Sequence, residues 1–192
     1  MIKSRRMKHH QNRIPISASF FENEVVGVWV NENEPEAEVN RKFNVINNHN
    51  FVYYDFVLSY YNYFTTRRIY GSKFKFTMIE AHVLTDIVDN PGITISELAD
   101  NWRRTSSALS QTVKKLIKGG FVEKRMNQDN YKMFFLFPTD IAKEFALIHK
   151  HYDNVDSVKL YKRLLSKFSI AELVTFFKVM EAYNDLLHND EV

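Results

Sequence analysis

Residues 93–125 read ITISELADNWRRTSSALSQTVKKLIKGGFVEKR, and their pattern decides the fold. Thr94 stands three residues before Glu97, so its hydroxyl can accept the Glu97 backbone N–H while the carboxylate reaches back to the N–H of Thr94. That capping box opens a helix that turns Ile95, Leu98, Ala99 and Trp102 inward. After a short break at Arg103 and Arg104, a second helix from about Thr105 to Lys118 directs Ala108, Leu109, Val113, Leu116 and Ile117 to a core. Gly119-Gly120 stops it. Two helices joined by so tight a break form a helix-turn-helix.

The second helix leaves Ser106, Ser107, Ser110, Gln111, Lys114, Lys115 and Lys118 outside, and positions 107, 110, 111, 114 and 118 make one polar stripe. Small hydroxyls permit close approach, Gln can pair bidentately with adenine, and Lys neutralises phosphate. An ordinary exposed helix mixes Glu with Lys, and this stripe has no acid. DNA contact is therefore favoured over a merely solvated face. FVEKR, a polar loop MNQDNY and KMFFLF follow, and they read as two antiparallel strands. Such a hairpin is a wing, whose bases can follow phosphates or enter the minor groove. It also covers the helical core with its apolar run from Met133 to Phe137.

The charge agrees with this placement. The chain has 192 residues and a net charge of +3, yet residues 101–132 hold eight Lys or Arg against two acids. That window carries +6 and the remainder −3. A localised basic segment is the electrostatic footprint of a nucleic-acid-binding element.

ITISELADNW and SSALSQTVKKLIKGGFVEKR, followed by a wing and a long helix, resemble the winged helix-turn-helix of MarR-type bacterial transcription regulators. The resemblance spans about residues 43–188. It implies a homodimer, a DNA-binding lobe on each subunit, palindromic operators, and small ligands held between the dimerisation helices and that lobe. The family's wing usually carries an Asp and an Arg pair shortly before a Leu-Thr. Counting back from Thr139, those places hold Asn130, Tyr131 and Lys132, and Pro138-Thr139 replaces Leu-Thr. The minor-groove arginine is therefore missing or replaced by Lys132, and Arg125 is the only arginine of the wing.

The expected DNA contacts are Arg103, Arg104, Thr105, Ser106, Ser107, Ser110, Gln111, Lys114 and Lys115 from the helix-turn-helix. From the wing they are Lys124, Arg125, Asn127, Gln128 and Lys132.

Outside this lobe the chain is poor in punctuation. Five Gly and four Pro are too few for a turn-rich β protein, since average usage is roughly 12% of residues. From about Phe43 to Arg67 apolar residues recur at helical spacing. Two further helices are expected after Pro138, with Asp153-Asn154 as a kink and Ser169 with Glu172 capping the second. Another capping box, Thr77 with Glu80, opens the helix before the helix-turn-helix, which Asn90-Pro91-Gly92 ends. The fold class is mainly α with a small β-hairpin wing. Residues 75–137 form the winged domain, and 43–70 with 138–192 form a helical dimerisation region.

Residues 1–42 carry opposed charges, basic to Arg13 and acidic from Glu22 to Glu38, with IPISASFF and EVVGVWV as short extended segments, and are either a flexible arm or a small hairpin docked on the body. Tyr53, Tyr54, Tyr60, Tyr61 and Tyr63 suit a dimer core with an amphipathic surface, or the wall of an effector pocket. For the pocket, Tyr54, Tyr61 and His82 are the candidates.

Several classes are excluded or unsupported. Without cysteine there is no disulfide framework, zinc-thiolate site or thiol nucleophile. No apolar run reaches the roughly 18 residues of a membrane span and the first residues lead into no signal core, so a cytoplasmic protein is expected. The histidines are scattered, with no phosphate loop or nucleophile motif, so no enzyme and no cofactor are expected. His149 and His151 lie two apart and share no helix face, so no metal pair is expected there. The expected partners are double-stranded DNA, a second copy of the chain and a small effector, with no membrane. The alternative is a winged-helix protein-interaction module that binds no DNA.

Overall fold

Pro35 suits a helix start because it lacks only an N–H that the first turn leaves unpaired. The longest helix, α1, runs from Glu36 to Thr65 directly after it, and the Pro35 carbonyl accepts the N–H groups of Glu38 and Val39. The computed structural model describes Ala18 and residues 20–25, 27–126 and 134–188. They fall into two compact units, Met1–Phe64 and Thr65–Val192.

In the first unit α1 begins seven residues before the expected Phe43, because the acid-rich stretch suits its positive end. Glu36 and Glu38 occupy the first turn, and Glu38 pairs with Arg41. Arg41 also holds the Glu38 carboxyl below the usual carboxylate range. The extended segments expected before it do not form among the described residues. Phe20–Glu24 is a single π-helical turn and residues 29–31 take no regular structure. Burial against α1 decides this. Phe20 stacks on His49 with ring centroids 3.7 Å apart. Lys42, two turns earlier, donates to the Trp29 carbonyl at 2.9 Å and pairs with Glu34 Oε1 at 2.5 Å.

The second unit opens with two short antiparallel strands, β1 (Arg68–Ile69) and β2 (Lys75–Phe76). Helices α2 (Met78–Asp89), α3 (Ile95–Asn101) and α4 (Ser106–Lys118) follow. Both expected capping boxes form, at Thr77 with Glu80 and at Thr94 with Glu97. Hydrogen bonds from the Thr94 backbone and hydroxyl hold the Glu97 carboxyl below its ordinary range. The hairpin pairs β3 (Val122–Met126) with β4 (Phe134–Pro138), from Val122 opposite Pro138 to Met126 opposite Phe134. Leu136 exchanges backbone hydrogen bonds with Gly92 and Ile93, which ties the hairpin to the turn after α2. Thr139 secures the other end, its hydroxyl donating to the carbonyls of Gly120 and Phe121.

The core lies between these elements. Val83, Leu84 and Ile87 of α2, Leu98 of α3, and Leu109, Val113 and Leu116 of α4 are buried with Leu136 and Phe145. Phe74, Phe76, Phe121 and Phe145 pack edge-on or tilted beside them. At about 25 cal/mol per Å² of apolar area, this cluster rather than the two-stranded pairings supplies most of the stabilisation.

Helix α5 (Asp140–Leu165) is continuous through Asp153 and Asn154, the Asp153 carboxylate lying beside His149 one turn back. The helix ends at Leu165, and after residues 166–168 Ser169 caps α6 (Ile170–His188) with Glu172, as the capping box predicts. Along α6, Val174, Phe176, Phe177, Val179, Met180, Tyr183 and Leu187 are all exposed. Among the described residues no helix is long and apolar enough to cross a membrane.

Candidate nucleic-acid interface

The turn between α3 and α4 fixes how the second helix is presented. Arg104 N–H donates to the Ala99 carbonyl and Arg103 N–H to that of Asp100, the paired bonds of a Schellman motif. Its left-handed position is filled by Arg103, at φ 46°, where glycine is usual. A bulky residue kept in that region costs about 1 kcal/mol or more, a cost that recurs where a side chain is held for function. Thr105 then caps α4, its hydroxyl accepting the Ala108 N–H at 3.3 Å. A second Schellman motif ends α4. Phe121 N–H donates to the Leu116 carbonyl, with Gly120 at φ 76° in the left-handed position.

Between those stops α4 has two contrasting sides. Leu109, Thr112, Val113 and Leu116 are buried, while Ser107, Gln111, Lys114 and Lys118 are exposed along the opposite stripe. Ser110, placed by sequence on the same stripe, is partly buried. Arg103, Arg104, Thr105 and Ser106 are exposed at the start of the helix. Lys115 is exposed but turns sideways, its ammonium 3.4 Å from Glu80, a buried carboxylate of α2 that also meets Arg67. Lys115 thus holds α4 to the cap of α2, a role the sequence pattern did not separate from DNA contact.

On the hairpin, Lys124 and Arg125 are exposed. The Lys124 ammonium lies 3.4 Å from the centre of the Phe134 ring, and the Arg125 guanidinium sits 4.2 Å over Phe137 while pairing with Glu123 at 3.1 Å. Stacking of this kind holds long cations close to the strand surface. Asn127, Gln128 and Lys132, together with Asn130 and Tyr131, lie outside the described residues.

The three effector candidates are divided between the units. Tyr54 and Tyr61 are exposed on α1 of the first, and His82 is on α2 of the second. His82 stands beside His149 and Asp153 of α5. The sequence hides this grouping, because the histidine nearest to His149 along the chain is His151, whereas its neighbour in space is Asp153 one turn on. Burial pushes both imidazoles below the ordinary histidine range, against the pull of the Asp153 carboxylate; His82 further lowers His149.

Residues 76–132 match the model of the MarR family. They are a MarR-family domain. Its helices α2 to α4 and hairpin make the winged helix-turn-helix of that family. An uncharacterized HTH-type transcriptional regulator of Bacillus subtilis (strain 168), YhjH, is 32% identical over 99 residues, covering 52% of this chain and 54% of its own. The chain thus spans about half the length of that relative. The MarR fold also appears in two solved structures. Streptococcus pneumoniae FabT in complex with DNA has a TM-score of 0.54 at 18% identity, covering 77% of this chain and 98% of its own. Lactococcus lactis ZitR, a zinc-responsive MarR family member, has a TM-score of 0.55 at 17% identity, covering 77% and 99%.

Proposed function

We propose that the chain is a sequence-specific DNA-binding transcription regulator that acts as a homodimer on a palindromic operator. The observation that carries the reading is the exposed, acid-free stripe Ser107, Gln111, Lys114 and Lys118 on a helix whose other side is locked into the core. Helix α4 enters the major groove, Gln111 reads base edges, and Lys114 and Lys118 meet phosphates. The hairpin places Lys124 and Arg125 on the flanking backbone or the minor groove. FabT, solved in complex with DNA on the same fold, supports this use of the domain.

Dimerisation is supported by α6, where Phe176, Phe177, Met180 and Tyr183 are too extensively exposed for a solvated surface. A two-fold axis would set two recognition helices about one helical turn, roughly 34 Å, apart. A small effector that alters this spacing would regulate the complex.

Lys114→Ala is expected to weaken binding to all duplexes alike and to lower the slope of log affinity against log salt by about one. Titrations between 50 and 200 mM salt, roughly the range over which counterion release is steep, measure it. A dimer with no affinity for any duplex would instead favour the interaction-module reading.

A further inference from the structure

Three electron-pair donors converge between α2 and α5. His82 Nε2 is 3.4 Å from Asp153 Oδ2, and His149 Nε2 is 3.3 Å from the same oxygen. All three ligand atoms lie within 4.8 Å of one another. His149 is only 1% exposed, and its Nε2 makes no hydrogen bond.

Hydrogen bonding at the far side of the ring accounts for that orphaned nitrogen. The Thr85 hydroxyl lies 3.0 Å from the Ala81 carbonyl, which can only accept, so the hydroxyl proton goes there. Thr85 Oγ1 must then accept from His149 Nδ1, 3.0 Å away. The neutral ring therefore carries its proton on Nδ1 and presents a bare lone pair at Nε2, facing a carboxylate oxygen. A hydroxyl fixing the tautomer of a buried histidine in this way is the outer-shell support that metal-ligating imidazoles require.

We infer that His82, His149 and Asp153 form a binding site for a divalent transition cation of the zinc class, joining α2 to α5. Two imidazole nitrogens and one carboxylate oxygen suit zinc rather than calcium or magnesium, which prefer all-oxygen sets. The spacing fits as well. Bonds of 2.0–2.1 Å in tetrahedral array put neighbouring ligand atoms about 3.4 Å apart. Three protein ligands leave a fourth position for water or another donor. The site links the helix that opens the winged domain to the helix that leaves it, so an occupied site fixes the angle between them.

The test is calorimetric titration of zinc ion alone into the full chain after dialysis against a chelator, with thermal unfolding alongside. About one equivalent is expected to bind saturably and to raise the unfolding midpoint. His82→Ala and Asp153→Asn, both at partly exposed positions, should each weaken binding by at least roughly tenfold, and Thr85→Val should weaken it without removing a ligand. The inference is overturned if the wild-type chain shows no saturable binding, or if both ligand variants bind as the wild type does while keeping their helical circular dichroism. No duplex is present in the titration, so its failure leaves the DNA-binding reading standing, and failure of that reading leaves this site standing.

Discussion

Gln111→Glu is expected to lower affinity for the preferred duplex by about 10- to 100-fold while leaving the fold intact. Gln111 is exposed in the middle of α4, between Ser107 and Lys114 on the outward stripe. Glu has the same shape and nearly the same helix propensity, so the helix is unaffected and the unfolding midpoint should stay within about 2 °C. At the groove the change is severe. The amide that both donates to and accepts from adenine becomes acceptor-only, which forfeits about 1–3 kcal/mol of base recognition, and a negative charge is brought among phosphates. Fluorescence anisotropy with one duplex at fixed salt measures the loss. Unchanged affinity would place Gln111 outside the interface.

Leu109→Ala, two positions earlier, should do the reverse. Leu109 is fully buried in the winged core. Its truncation removes transfer free energy and leaves a cavity, together about 3 kcal/mol, which lowers the unfolding midpoint by roughly 6–12 °C. Well below that midpoint the outward stripe is still presented, so the affinity of the folded fraction should change little. Thermal unfolding by circular dichroism and anisotropy on the same sample separate the two effects. A large affinity loss without loss of stability would mean that α4 faces the other way.

The opposite fates of these two neighbours are legible in the sequence, because a helical period sorts polar from apolar positions without reference to the rest of the chain. The same is true of the Thr77, Thr94 and Ser169 boxes, which depend on groups three residues apart. The hairpin was legible because its strands adjoin in sequence. What the sequence did not disclose depends on distant partners. Phe20 forms a helical turn because His49 stacks on it, and the segment before α1 folds back because Lys42 reaches Trp29 and Glu34. Asp153 reads in sequence as part of a kink, and its place beside His82 and His149 depends on α2, far earlier in the chain. Lys115 looks equivalent to Lys114 in sequence, yet Glu80, 35 positions earlier, lies beside it.

The candidate interface was read in the same uneven way. The polar stripe of α4 is exposed at Ser107, Gln111, Lys114 and Lys118, with Ser110 partly buried. On the hairpin, Lys124 and Arg125 are present as expected but lie on Phe134 and Phe137, an arrangement that cross-strand register sets and residue type alone does not. Residue chemistry groups Tyr54, Tyr61 and His82 as effector candidates, whereas the setting of His82 beside His149 and Asp153 comes from the packing of α2 on α5.

Selection of bound duplexes from a random pool by the full chain, followed by sequencing, tests the central claim most directly. The expected result is enrichment of an inverted repeat whose half-site centres lie about one helical turn apart, with affinity that falls steeply as salt rises. Failure to enrich any duplex over several rounds at low salt, from protein that is folded and dimeric, would contradict it.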